Sequence, residues 1–528
     1  MIPTPAQIAQ LCPVEIRESP DRGNTLVATC RIEPEPPFGY HVYTDEALLV
    51  MPTYGSEDDQ SGAPPEILKP GPQLWTDWWT YQQQTDDVKD RILGLYTDMR
   101  CPHAVAVRTY LTEKYEERQA AQQQEEKGSG PYGDDFDKGI LGQMEEFAQF
   151  MMVIRFNSVE LTPPSDDGEG PGTDFGHGLF ETACRMNHSC KPNCIWVTSQ
   201  DGRAKEVRAI HPIQEGEELT IDYVGETLKA IPQRRLELLQ TKGFTCQCDR
   251  CAAQHDDTRR FFCMSHPTTG CPGAHFVVQP DLSTPARLLD CDVCGTCASP
   301  SYKEAMLAKE LELAEELNAL NRQADADKEL NAERIAQLKP PHDLHSLAEM
   351  CFEMQGHLFA TRGEFQSAAE AYTKQLACRT AILGKEYHSQ TTAFCCERLG
   401  DALRHVNVEE AEEAYKRTVR HIQLMRGGIA DPYSKCALVK LLEVQYRLAH
   451  SDPGELPQLR AVEGILAAVP EATTHIHSNA ERPCFCSMCG NPAVLHEQYG
   501  GQAFQYCCVQ HQELHRPLVD VVFEESKM

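Results

Sequence analysis

Positive charge is in short supply in this chain: 49 lysines and arginines stand against 79 acidic residues, a formal net charge of −30 over 528 residues. A body that acidic repels phosphates, so direct nucleic-acid binding is not expected without a local basic patch. Basic proteins or peptides are the favoured partners, drawn by long-range attraction. No run approaches the ~18 apolar residues that a membrane span needs, so no membrane partner is expected. The opening MIPTPAQIAQ has no apolar signal core. Disulfide frameworks belong to small secreted chains, whereas the 24 cysteines here fall into short-spaced sets. The expectation is a reducing interior, cytoplasm and/or nucleus. The length implies two to four domains.

Cysteine spacing is the strongest signal present. Phe244-Thr-Cys246-Gln-Cys248-Asp-Arg-Cys251 supplies three thiolates, one short of the tetrahedral set of structural zinc. Cys190 lies in Asn187-His188-Ser189-Cys190-Lys191-Pro192-Asn193-Cys194, a segment rich in loop formers, and is a candidate fourth ligand. A second set comprises Cys263, Cys271, Cys291 and Cys294, in which Cys291-x2-Cys294-Gly reads as half a zinc knuckle; His266, His275 and Cys297 compete for the remaining positions. A third set, Cys486, Cys489, Cys507 and His511, sits near the C-terminus. About three zinc ions are expected.

Three motifs, NHSCKPNC (187–194), EELTIDY (217–223) and FTCQCDRC (244–251), occur in that order. Together they resemble the SET-domain protein lysine methyltransferases, in particular the SET-and-MYND subfamily. The resemblance implies an S-adenosylmethionine cofactor held by Arg22, Asn24, Asn157, Asn187, His188 and Phe244, with Tyr223 bordering both the cofactor and the methyl-transfer channel as the catalytic residue. It implies that Cys190, Cys246, Cys248 and Cys251 form a structural zinc site. Within the first cofactor turn, Arg22-Gly23-Asn24, the next residue is Thr25 where the subfamily usually has Gly. A β-branched residue disfavours positive φ, so either the turn is altered or Thr25 is extended. Residues 51–100 hold no cysteine, so the subfamily's internal MYND finger is missing there. The C-terminal set resembles a MYND remnant reduced to one metal.

The expected architecture is α+β and multidomain. A β-rich SET domain with a helical insertion (about 51–155) and post-SET zinc motif (244–251) occupies 1–251, a Cys-rich zinc segment 252–300, a helical tetratricopeptide-like lobe 301–475 and a MYND-like zinc finger 476–528. Trp75, Trp78 and Trp79 at i, i+3, i+4 predict one buried helix face. The stepping of Phe136, Ile140, Met144, Phe147, Met151 and Ile154 predicts an amphipathic helix ending at Asn157-Ser158. Residues 302–470 read as helical throughout. Gly356, Phe359, Ala368 and Tyr372 recur about 44 residues later as Gly400, Leu403, Ala411 and Tyr415, as stacked helix pairs require. Two functions fit: a methyltransferase acting on lysine of a histone or other basic protein, with a possible protein partner on the helical repeats, or a catalytically weak SET-fold adaptor binding peptides through its helices and terminal finger.

Overall fold

The computed structural model describes residues 13–19, 23–33, 40–51, 72–101, 103–109, 111–113, 116, 143–161, 176–199, 203–225, 228–322, 328–385, 387–426 and 432–449, and short strands within 484–506. Among the described residues, its N-terminal part contains nine strands. β1 (Val14–Ser19) and β2 (Gly23–Ala28) form a hairpin. The positive φ falls on Gly23, at +69°, which no side chain opposes. Thr25 is therefore extended: it pairs with Arg17, is buried, and donates its hydroxyl to the Arg17 carbonyl at 3.2 Å.

β3 (Tyr40–Met51) is the longest strand. Its first half pairs with β8 (Ala204–Ala209) and its second half with β5 (Gly176–Phe180), giving the antiparallel order β4-β5-β3-β8-β7, where β4 is Val159–Leu161 and β7 is Cys194–Thr198. Register breaks at His41/Tyr43 and Ala47/Leu49 twist the strand enough to serve both partners. Leu26, Ile32, Val42, Val207 and Ile221 fill the core beneath.

Among the described residues, the insertion between β3 and β4 is helical. Helices Pro72–Gln82, Asp86–Leu93 and Met144–Asn157 pack through Trp78, Tyr81, Phe147 and Phe150. Trp78 stacks on Tyr81 at 5.2 Å and meets Phe147 edge-on at 5.0 Å. The expected tryptophan face is corrected here: Trp79 is 56% exposed. The buried stripe runs from Trp78 to Tyr81 three residues on, and Trp79 lies about 100° round the helix from it. The third helix ends at Asn157, with Ser158 as its cap, and its described part begins at Met144.

Beyond the SET-like part, β10 (Asp256–Phe262), β11 (Ala274–Val278) and β12 (Arg287–Leu288) form a small antiparallel sheet. Helices then follow from Pro300 to Ala449. Helices Ser346–Thr361 and Phe365–Leu383 form one antiparallel pair, and Gln390–Leu403 and Val408–Arg426 a second. Both pairs close on the same contact. A Cβ on Gly356 would lie 2.5 Å from the Tyr372 ring, and one on Gly400 would lie 2.7 Å from the Tyr415 ring. The small residue lets the paired helix approach, and the aromatic ring fills the space. The expected helix beyond Ala449, residues 450–470, lies outside the described residues. No described helix is long and apolar enough to cross a membrane.

Candidate functional site

The site forms where two distant segments run side by side. β6 (Asn187–His188) lies parallel to β9 (Thr220–Ile221). The Leu219 N–H reaches back to the Leu26 carbonyl at 2.8 Å, so three stretches of chain converge. Asn193 clamps them. Its Oδ1 accepts from the Thr220 N–H at 2.8 Å, and its Nδ2 donates to the Glu218 carbonyl at 2.9 Å. Asn187 donates to Glu218 Oε1 at 2.8 Å.

Tyr223 follows β9. Its ring centroid lies 5.5 Å from His188 and 6.4 Å from Phe244, with Tyr223 and Phe244 nearly perpendicular at 80°. Its hydroxyl donates to the Met186 carbonyl. Burial pushes that hydroxyl above the usual tyrosine range, and Cys184 and Glu218 add to the effect, so it stays protonated. His188 Nδ1 accepts the Tyr223 N–H at 3.0 Å, which leaves the ring proton on Nε2, 3.2 Å from the Cys190 sulfur. Burial lowers the His188 pKa to about 4, so the imidazole is neutral. One ring thus joins Tyr223 to a cysteine cluster.

That cluster is the expected one. The sulfurs of Cys190, Cys246, Cys248 and Cys251 lie within 4.8 Å of one another, and Cys190 and Cys251 are 3.6 Å apart. A tetrahedron with 2.3 Å zinc–sulfur bonds has edges of about 3.8 Å. Helix Ile231–Lys242 positions three of the four. Its first N–H donates to the buried Asp256 carboxylate at 2.6 Å, an anion at the positive end of the helix. Gly243, at φ +79°, ends it and turns the chain into Phe244 and the cysteines. Four thiolates and one zinc carry a net charge of −2, and the helix supplies a counter-charge. Arg234 is fully buried, its Nε and Nη2 have no hydrogen-bond partner, and Cys251 and Cys190 act on it electrostatically. Arg235 donates to the carbonyls of Cys246 and Cys251. A buried guanidinium beside the Cys251 and Cys190 sulfurs fits a bound zinc.

Cys263, Cys271, Cys291 and Cys294 make the second set, also within 4.8 Å. Gly273 is required there, since a Cβ would meet the Cys291 sulfur at 2.5 Å. The competing residues have other roles. His266 Nδ1 bonds the Cys271 carbonyl, His275 bonds the Leu289 carbonyl and the Met264 N–H, and Cys297 is exposed and bonds the Ala298 carbonyl. Cys486, Cys489, Cys507 and His511 lie outside the described residues.

The remaining predicted residues are placed unevenly. Arg22 lies outside the described residues. Asn24 is exposed on β2 opposite Glu18. Asn157 is buried, and its amide nitrogen donates to the Tyr96 and Val153 carbonyls at 2.8 and 2.9 Å. Its own carbonyl accepts from the Cys184 sulfur at 3.1 Å. The structure adds Lys242, which sequence spacing did not single out. Its ammonium lies 5.5 Å from the Tyr223 ring centroid and donates to the Phe156 carbonyl at 3.3 Å. Nothing in the sequence from Gln233 to Lys242 signals which cation turns inward.

The profile of the SET domain matches residues 23–224, which include β2, β6, β9 and Tyr223. Histone-lysine N-methyltransferase SMYD3 of Mus musculus is 39% identical over 84 residues, 16% of this chain and 19% of that protein. N-lysine methyltransferase SMYD2 of Homo sapiens is 35% identical over 83 residues, 16% and 18% of the two chains. SET domain-containing protein SmydA-8, isoform A, of Drosophila melanogaster is 34% identical over 165 residues, 29% and 32%. The matched stretches cover less than a third of each of these relatives.

Proposed function

Because the chain is a SMYD-like SET-domain protein, we propose that it is an S-adenosylmethionine-dependent protein-lysine N-methyltransferase acting on a histone or another basic protein. The observation that carries this reading is Tyr223, protonated and half-buried, held by His188 beside the parallel pair β6 and β9. The site's chemistry suits the cofactor. The half-exposed Phe244 ring offers a stacking face for a purine. The Glu218 carboxylate and the aromatic faces suit a sulfonium cation. When bound, the cofactor supplies an activated methyl group.

The protein's own contribution is alignment and exclusion of water, with no nucleophilic side chain needed. Tyr223 orients the acceptor nitrogen. Asn187 and Asn193 fix that pairing, and Arg22, Asn24 and Asn157 complete the cofactor pocket. Both His188 ring nitrogens are engaged within the protein, which leaves its backbone to face the cofactor. The first zinc is structural, because four thiolates leave no open coordination position. The acidic surface supports basic substrates with salt-dependent affinity and weak DNA binding, and the helical pairs support a protein partner. We place the protein in cytoplasm, nucleus or both.

The test incubates wild type, Tyr223→Phe and His188→Ala with labelled S-adenosylmethionine and core histones or a cell lysate, alongside a cofactor titration. Wild type should label protein, Tyr223→Phe should bind cofactor but transfer slowly, and His188→Ala should bind it weakly. A wild type that binds no cofactor would make this chain an adaptor instead.

A further inference from the structure

Lys242 is the last residue of helix Ile231–Lys242, and its half-buried side chain folds back over Tyr223. Three features hold a positive charge on its nitrogen. The Phe156 carbonyl accepts a hydrogen bond from it at 3.3 Å. The Tyr223 ring presents its electron-rich face 5.5 Å away. The C-terminal end of the helix carries the negative end of the dipole. Among the described residues, the other titratable groups acting on it are Cys184, on the short turn before β6, and Arg155, on helix Met144–Asn157.

A lysine acceptor brought to Tyr223 enters as a second ammonium. It has no lone pair in that form and cannot receive a methyl group. Two ammonium ions in one partly desolvated site do not both persist, because each disfavours the other's charge. Lys242 is the one with a fixed carbonyl, a ring face and a helix end to hold its proton. We propose that Lys242 is a positioning residue for the transfer reaction, whose standing charge makes the acceptor lysine release its proton to solvent water before methyl transfer. In that step one acceptor N–H bond breaks, the electron pair stays on nitrogen, and water takes the proton. The inference rests on the methyltransferase reading of the site. Burial, joined by Arg155, lowers the Lys242 titration below the usual lysine range, while Cys184 opposes that shift. The inference requires that Lys242 stays charged at pH 7–8.

Two variants separate charge from packing: Lys242→Met removes the charge on a chain of similar length, and Lys242→Arg keeps it. The first readout needs no turnover. Protein carrying ε-13C-lysine, saturated with S-adenosylhomocysteine, is titrated by NMR, and the Lys242 resonance is identified by its loss in Lys242→Arg. It should remain charged through pH 8, and titration complete below pH 7 would overturn the proposal. The second readout is the pH profile of label transfer to lysate proteins. The rising limb of Lys242→Met should move upward by about one to two pH units, while Lys242→Arg follows wild type. Superimposed profiles for wild type and Lys242→Met would remove Lys242 and leave the methyltransferase reading standing. Loss of S-adenosylhomocysteine binding in Lys242→Met would assign the residue to packing and overturn the proposal. A wild type that neither binds nor transfers would remove both readings together.

Discussion

The two sets of four cysteines offer the same donors at similar separations, yet their surroundings differ. The first set is tied into the candidate site. His188 links Cys190 to the Tyr223 backbone, Arg234 faces Cys190 and Cys251, and Phe244 sits two residues before Cys246. The second set has an exposed member, Cys294, and its hydrogen bonds are local, to Ser265, Thr296 and Asp292. Its sheet is fastened to the helical lobe instead, through the Phe262 N–H to the Pro341 carbonyl and the Tyr302 hydroxyl to the Phe262 carbonyl. The same donor set lies beside the candidate site in one place and at the join of a small sheet and the helical lobe in the other.

The sharpest way to break that contrast is to remove one donor from each set. Cys190→Ser should cost one zinc by elemental analysis and abolish cofactor binding, because metal binding there is coupled to local folding. Cys271→Ser should cost one zinc and lower the melting temperature while leaving cofactor binding measurable. Equal effects on cofactor binding would erase the distinction. Freshly purified wild type should carry about three zincs, and one or none would sink that expectation.

Tyr223→Phe tests the link from the first set to chemistry. Fold, zinc content and cofactor binding should survive, and transfer should slow on the order of ten- to a thousand-fold. A variant as fast as wild type would take the hydroxyl out of the mechanism.

Acid should loosen the second set's joint first. Glu310, on helix Pro300–Arg322, pairs with Arg259 of β10 at 2.6 Å and with His345 at 3.2 Å. Burial alone would raise its pKa, but His345 and Arg259 outweigh that and bring it down to about 2. The folded value is below the unfolded one, so this stabilisation is present above about pH 4 and lost as pH falls toward 2. Glu310→Gln should flatten the melting-temperature profile in that window, and an unchanged profile would place the acid lability elsewhere.

The smallest effect concerns the contact between the helical lobe and the site. The Tyr387 hydroxyl donates to Asp222 Oδ2 at 3.0 Å, one residue before Tyr223. Tyr387→Phe should cost about 0.5–1.5 kcal/mol of stability by denaturant unfolding. A larger loss would mean that the lobe braces the site more firmly than this one bond implies.

Much of the site was legible because its parts are short motifs whose spacing carries the chemistry. Cys190 with Cys246, Cys248 and Cys251, and His188 beside Tyr223, came together as their motifs implied. The second set was legible too, with His266, His275 and Cys297 left as competitors. The choice among them depends on which carbonyls lie within reach after folding. Arg234 and Lys242 were invisible for a related reason. In Ile231–Lys242 the cations are close in sequence, and only the anchoring of the helix start by Asp256 decides which of them face the sulfurs or the tyrosine. Trp79 misled because three tryptophans at helical spacing mark a face, but not which edge of it is buried. The repeat of Gly356 and Gly400 was legible since each matches an aromatic residue at nearly constant separation.

The pairing of β6 with β9 also sets an order of events during synthesis. Leu26 must wait for Leu219, Asn187 for Thr220, and Cys190 for Cys251 before any of these contacts can close. Such distant pairings carry a large loop-closure entropy and fold slowly. A growing chain therefore holds the first hairpin and the helical insertion for some time with their partners still unmade. The contact of Cys190 with Cys251 can close only once Cys251 has left the ribosome. On the proposed zinc reading, metal supply and the emergence of one short stretch together time the completion of the site.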